Sequence, residues 1–422
     1  MTTDRAEIVH KNFLDRVGSG DLPASLSNAT LASAGLQSHD LVKLFDAQIL
    51  SRHLDRVSRK MQACGEGFYT IGSSGHEGNA AIAWALRPTD MAFLHYRDAA
   101  FQIARAHQTP GSTPLWDMLL SFAASSEDPI SGGRHKVLGS KALFIPPQTS
   151  TIASHLPKAV GAAFSIPIAG KIHPEHQQLE DDGIVVCSFG DASLNHSTAQ
   201  GALNTASWTA YQNSPMPILF VCEDNGIGIS TKTPRDWVRQ SASLRPALKY
   251  FQCSSLDVVD AYATTKAAAD YVRKCRKPAF LHSQCIRLYG HAGPDAQSAY
   301  LSNQEIENTE AQDPLLHTAG RLIREGVLSQ NDVIDRYIKT SERTERAAEQ
   351  AIKTPRLQTA DEVMDSLIPG SRPCAPVTPP KESTRKTCFG GSDSRALKQP
   401  QHMAKLINFA LTDLMLSHEE II

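Results

Sequence analysis

Two short apolar runs, each closing on an acidic turn, constrain this 422-residue chain more than any other feature. Ile184-Val185-Val186-Cys187-Ser188-Phe189 leads into Gly190-Asp191-Ala192-Ser193, and Ile218-Leu219-Phe220-Val221-Cys222 leads into Glu223-Asp224-Asn225-Gly226. Runs this short do not make helices; they suit strands covered on both faces, as in a parallel sheet. Between them Ala199, Leu203, Ala206 and Ala210 recur at steps of 4, 3 and 4, the stripe of a crossover helix. The unit is therefore strand, helix, strand. Both polar turns then leave the carboxyl edge of one sheet, where open parallel sheets bind their ligands. Asp191 and Asn225, 34 residues apart in sequence, are predicted to meet there.

A carboxylate, an amide oxygen and a main-chain carbonyl are hard oxygen donors suited to magnesium that keeps a water and phosphate oxygens. Asp191, Asn225 and the Ile227 carbonyl are the predicted ligands. Gly190, Ala192, Gly226 and Gly228 let main-chain N–H groups approach a diphosphate, and a helix opening after Ser193 adds its positive end. Taken singly, a Gly-Asp or Asp-Asn-Gly marks an ordinary turn. Together, on this frame, the two turns resemble the signature of thiamine diphosphate enzymes.

Four further stretches, spread over roughly residues 40 to 365, narrow the resemblance to one branch: the alpha subunit of the decarboxylating first component of 2-oxo acid dehydrogenase complexes, branched-chain type. His95-Tyr96-Arg97-Asp98 resembles a Tyr-Arg element in which the arginine contacts the cofactor diphosphate. Thr149 to Pro157, running into Ala159-Val160-Gly161-Ala162-Ala163, resembles the loop and helix that hold the bent cofactor, with Ser150 beside it and Ile152 as the apolar wedge between its rings. Val221 to Ser230 matches the second half of the metal motif, and Arg287 to Asp295 resembles a Gly-His loop that brings His291 near the reacting carbon. His76, in Ile71-Gly72-Ser73-Ser74-Gly75-His76-Glu77-Gly78, aligns with a loop bordering the substrate pocket. The resemblance thus implies an α/β thiamine diphosphate-binding fold, a parallel sheet flanked by helices. It also implies thiamine diphosphate and Mg2+ as cofactors, and His291 and His76 as catalytic candidates. Imidazoles titrate near neutrality, which suits proton transfer. The implied reaction is oxidative decarboxylation of a 2-oxo acid, with the acyl group passed to lipoyl on an acyltransferase component. A transketolase-like or acetoin-forming thiamine enzyme shares the metal motif, and a cofactor-binding half without catalysis of its own is a further reading.

Departures from the family pattern carry their own expectations. Glu223 stands where mitochondrial relatives commonly have arginine, removing one diphosphate contact. Ala292 stands where they present a phosphorylatable serine, so that switch is not expected. Ser154 and His155 replace the usual Thr and Gln of a monovalent-cation loop, so the resemblance does not carry potassium binding with it.

Forty-two Lys and Arg against forty-four Asp and Glu leave a net charge of -2, which gives no basic surface for nucleic acid or anionic membrane. Eight cysteines without a Cys-x-x-Cys pair fit a reducing cytoplasm, and Asp4, Glu7 and Asp15 speak against an import leader. Along the chain we expect an N-terminal extension over 1–39 that offers little core, then the cofactor-binding domain over 40–368. A charged late helix from Asp332 to Ile352 should lie on its outside. A flexible Pro/Ser/Gly/Lys linker is expected over 369–402. Over 403–422, Met403, Leu406, Ile407, Ala410, Leu411, Leu414 and Met415 form an amphipathic stripe. It resembles the opening of a beta-type pyrimidine domain, whose cofactor-activating glutamate would lie beyond Ile422. The implied partners are a beta-type domain or subunit and a lipoyl-bearing acyltransferase, in a homodimer or heterotetramer.

Overall fold

The computed structural model describes residues 4–67, 71–148, 151–172, 174–368, 370, 378–388, 400–418 and 421. The chain divides into two compact units, Met1–Phe164 with Asp182–Gln358, and Ser165–Asp181 with Thr359–Ile422.

The first unit is built on a five-stranded sheet, β1 (Met91–Phe93), β2 (Val185–Gly190), β3 (Ile218–Asp224), β4 (Lys249–Ser254) and β5 (Ala279–Gln284), in the order β1-β2-β3-β5-β4. Every pairing is parallel. The two apolar runs are the adjacent β2 and β3, and their register sets Gly190 beside Glu223. Alternate side chains serve the two faces. Ile184, Val186, Leu219, Val221, Ala279 and Leu281 join a core with the helices Ser38–Ala63, Asn79–Trp84, Ala99–Ala106 and Val258–Cys275. Val185, Cys187, Phe189, Ile218, Phe220, Cys222 and Phe280, on the alternate positions, are buried as well. The crossover helix is Ser197–Tyr211, and its predicted stripe of Ala199, Leu203, Ala206 and Ala210 is buried.

The N-terminal residues correct one expectation. Arg5–Ser19 is a helix that buries Ala6, Val9, Phe13 and Val17. The Phe13 ring stacks on Tyr337 at 4.2 Å between centroids. Its apolar residues recur at steps of 3 and 4 and are interleaved with charge, so the short stripe is easily passed over beside the Gly/Ser/Ala text after it. The charged helix Gln330–Ala351 is likewise one-sided: it buries Val333, Tyr337, Ser341, Thr344, Ala348 and Ala351 and packs on Ser38–Ala63. Only its other face meets solvent.

In the second unit, residues 369, 371–377 and 389–399 of the expected linker lie outside the described residues. Glu382–Cys388 forms a short helix whose Arg385 pairs with Asp413 of the helix Met403–Ser417. That last helix keeps its apolar stripe exposed, Met403 at 73% and Ile407 at 51%. Among the described residues no helix is long and apolar enough to cross a membrane.

Because Phe13 is fully buried against Tyr337, Phe13→Ala should destabilise the first unit by about 3–5 kcal/mol. Equilibrium denaturation in urea checks this. A shift below about 1 kcal/mol would show that the N-terminal helix is not part of the core.

Candidate active site

Four segments leave the carboxyl edge of the sheet side by side: His95-Tyr96-Arg97 after β1, Asp191 after β2, Glu223 to Asn225 at the end of β3, and Cys285 to Arg287 after β5. They meet around Glu223, which is 2% exposed. One of its carboxylate oxygens, Oε2, accepts from His76 Nδ1 and from His95 Nδ1, each at 2.9 Å. Oε1 accepts from Asn79 Nδ2 at 3.2 Å. Since a carboxylate only accepts, both imidazoles carry their proton on Nδ1. Asn225 Nδ2, an amide nitrogen that only donates, faces His76 Nε2 at 3.0 Å, so that ring nitrogen is the acceptor. The partnering of Asn225 with His76 is therefore a consequence of Glu223.

The electrostatics arise from burial. The two imidazoles hold the Glu223 carboxyl below its ordinary value against its own desolvation. Desolvation pushes His95 down to about 4. The buried Asp98, which accepts from Ser188 Oγ and from the His95 N–H, is held well above the usual carboxylate range by burial and by Glu223.

The two acidic turns pack together. Asp191 is buried and accepts from the Thr233 hydroxyl, while the Thr233 N–H donates to the Gly226 carbonyl at 2.9 Å. Burial raises the Asp191 carboxyl. A Cβ at Gly228 would lie 3.2 Å from the Ala192 Cβ, so the second turn closes on the first without room for a side chain. Asn225 Oδ1 accepts from the Ile227 N–H at 3.1 Å. Ser193 is buried and Ala192 exposed. The helix expected straight after Ser193 opens instead at Ser197, because Asp191–Asn195 winds as a tighter 3-10 turn and His196 caps the crossover helix.

A second constellation joins Tyr96, Arg97 and His291. The buried Arg97 guanidinium donates to the main-chain carbonyls of Gly72 and His291, the latter at 3.0 Å, and its Nη2 faces His291 Nδ1 at 3.2 Å. The Tyr96 ring stands edge-on to His291, 6.2 Å between centroids. Burial, then Arg97 and Arg287, push the His291 imidazole down to about 4. It is therefore neutral at neutral pH, where sequence reasoning gave it an ordinary imidazole's titration. Ile152 is 46% exposed, in the turn before the helix His155–Ile172. Ser150 lies outside the described residues.

The His76 loop is held from behind. Arg52, 2% exposed on Ser38–Ala63, bridges Glu77 through Nε at 2.6 Å and Asp313 through both terminal nitrogens at 2.8 Å. Glu77 Oε2 in turn accepts from the Gly75 N–H at 2.7 Å. Gly75 has φ +100°, and a Cβ at Gly75 or Gly78 would overlap the carbonyl of Ile286 or Ser255.

The family model for the dehydrogenase E1 component matches residues 45–360. The chain belongs to the dehydrogenase E1 component family. Membership implies thiamine diphosphate as the cofactor. The E1 chain is 27% identical over 303 residues to the 2-oxoisovalerate dehydrogenase subunit alpha of Bacillus subtilis (strain 168), covering 70% of this chain and 85% of that one. It is 27% identical over 300 residues to the mitochondrial 2-oxoisovalerate dehydrogenase subunit alpha of Mus musculus, covering 70% of this chain and 62% of that one. Against the mitochondrial subunit alpha 2 of Arabidopsis thaliana the identity is 26% over 280 residues, 65% of this chain and 55% of that one.

Sequence reasoning missed Glu223 as the hub, and with it His95, Asn79 and Asp98. A readable signal existed: a glutamate in register with Gly190 at the end of an apolar strand is buried, and a buried carboxylate needs donors. Which donors is a tertiary matter.

The depressed His95 and His291 values have a consequence for stability. An unfolded imidazole takes up its proton near 6.5, whereas these two refuse it until about 4. The unfolded state therefore binds more protons between those values, and stability is lost as the pH falls from about 6.5 to about 4. His95→Gln should flatten that slope in denaturation midpoints measured across the window. An unchanged slope would show that His95 is protonated in the fold.

Proposed function

We propose that this E1 chain is the alpha-type half of a thiamine diphosphate-dependent 2-oxo acid dehydrogenase acting on a branched-chain 2-oxo acid, with lipoyl as acyl acceptor and a beta-type half completing the site. The observation that carries the reading is the seating of the Asp191 turn against the Asn225 loop at neighbouring strand ends, with Gly228 on Ala192. The named relatives give the substrate class.

The donor set fits a hydrated magnesium diphosphate. Asp191 offers a carboxylate, Asn225 Oδ1 keeps a lone pair beyond its bond to the Ile227 N–H, and the Ile227 carbonyl is a third hard oxygen. Gly190, Ala192 and Ser193 would bring main-chain N–H groups to the phosphates, with Tyr96, Arg97 and Ser150 beside them and Ile152 against the rings. Thiamine diphosphate, when bound, supplies the electron sink for decarboxylation. His291 has a more defined task. Because Arg97 donates toward Nδ1, the imidazole proton sits on Nε2, and a neutral ring there donates to a substrate oxygen or relays a proton without adding charge. His76, its Nδ1 bound to Glu223, orients Asn225. The exposed apolar stripe of Met403–Ser417 fits the proposal that a beta-type half is fused to or pairs with this one.

Asp191→Ala or Asn225→Ala should abolish magnesium-dependent cofactor binding in calorimetric titration; unchanged affinity in a folded variant would refute the ligand assignment. His291→Ala should lower turnover about 100-fold or more with cofactor affinity nearly unchanged. Equal loss of both would make it a structural residue. The 422-residue chain alone, given cofactor, magnesium and an artificial electron acceptor, should release negligible carbon dioxide from branched-chain 2-oxo acids. Addition of a beta-type half should restore it, and sustained turnover without one would overturn the need for a partner.

A further inference from the structure

The loop that carries His291 has few anchors of its own. Over residues 286–297 its large buried apolar side chains are Leu288 and Tyr289, just ahead of the Gly-His pair. Gly290 and Gly293 flank His291 and Ala292, and neither has room for a side chain. A Cβ at 290 would lie 2.3 Å from the Asp295 carbonyl oxygen, and one at 293 would lie 2.4 Å from Gln62 Oε1. Among the described residues Leu288 and Tyr289 form a cluster of their own, apart from the main core, with Ala6 and Val9 of the helix Arg5–Ser19 and with Ile286 at its edge. Later in the same helix, Phe13 and Val17 belong to the main core. One helix thus runs from the core to the seat of the His291 loop.

The front of that helix is fixed on two sides. Arg5 Nε donates to Glu310 Oε1 at 2.8 Å, on the helix Asn303–Glu310, and Glu7 accepts from Arg56 Nε at 2.7 Å and Nη2 at 3.1 Å, on Ser38–Ala63. Beside the cluster a cavity of about 550 Å3 opens, with Arg5 and Ile8 of the helix and Gly290, Asp295 and Gln297 of the loop in its walls. The two surfaces part there, so Ala6 and Val9 carry the apolar contact. On the loop's other side the Leu288 N–H donates to the Ser74 carbonyl at 3.1 Å, which ties the same seat to the His76 turn.

We propose that the first turns of the N-terminal helix brace the His291 loop, and that Val9 is a positioning residue that sets His291 through Leu288 and Tyr289. With those two seated, the main chain enters Gly290 in one direction and His291 Nδ1 meets Arg97 Nη2 at 3.2 Å. With the seat loosened, a glycine offers no side chain to oppose a swing of the next residue. A displacement of about 1 Å at a reacting group costs about 100-fold in rate. The effect on turnover rests on the functional reading above; the brace itself does not.

A matched pair of variants tests it. Val9→Ala and Val17→Ala make the same truncation at two buried positions of one helix, 2% and 0% exposed, the first against the loop and the second in the main core. In the 422-residue chain, hydrogen–deuterium exchange read by peptide should quicken about tenfold or more over 286–295 in Val9→Ala and keep the parent rate there in Val17→Ala. With a beta-type half supplied, Val9→Ala should turn over about 10- to 100-fold more slowly at unchanged cofactor affinity, and Val17→Ala like the parent. Parent exchange in Val9→Ala overturns the brace. So does equal loosening of the loop by Val17→Ala, which would make the effect one of overall stability. Faster exchange with parent turnover overturns the role of Val9 in setting His291. Should the parent itself show no turnover with a beta-type half, the functional reading fails, and the exchange comparison still decides the brace.

Discussion

A carboxylate buried at the end of a strand costs several kcal/mol unless donors surround it, and Glu223 turns that cost into architecture. Its two oxygens collect His76 from the loop after Ser38–Ala63, His95 from the end of β1 and Asn79 from the helix just beyond His76. Through His76 it reaches Asn225. Three stretches of the chain, at 76–79, 95 and 223–225, are thereby fixed at one sheet edge, and moving either of the first two strands a buried charge. The residue that sequence comparison treats as a lost phosphate contact is the one about which the site is assembled.

The brace behind the site obeys the same rule. Arg52 is buried between Glu77 and Asp313, and Asp55 of the same helix accepts from Ser74 N–H and Oγ. Such buried pairs add little net stability, but removal of one partner costs about 3–5 kcal/mol. Their consequence here is geometric: the turn from Ser73 to Gly78 has one allowed course. The glycines at 75 and 78 then let the main chain of that turn press on the Ile286 and Ser255 carbonyls.

The same dry surroundings make His291 a neutral ring. Burial and two guanidiniums remove its tendency to take up a proton, and the direction of Arg97 selects which nitrogen carries the hydrogen. An exposed histidine in a Gly-rich loop would have neither property. Local packing thus sets the protonation of His291.

Much of this was legible in the chain. Apolar runs of strand length, an alanine-leucine stripe at helical spacing and acidic turns at the run ends determine a parallel strand-helix-strand unit with its polar residues at the carboxyl edge, because period and burial are local properties. Gly190, Asp191, Asn225 and Ile227 could be named on that ground. The partners of Glu223 could not, since His76, His95 and Asn79 come to it from 128 to 147 residues away and no local periodicity encodes such distances. Phe13 was missed for a related reason: a short amphipathic stripe becomes core only when Tyr337, more than 300 residues later, is there to cover it. Local pattern in the chain determined which groups stand at the sheet edge; tertiary structure decided which of them are buried together, and therefore which are charged.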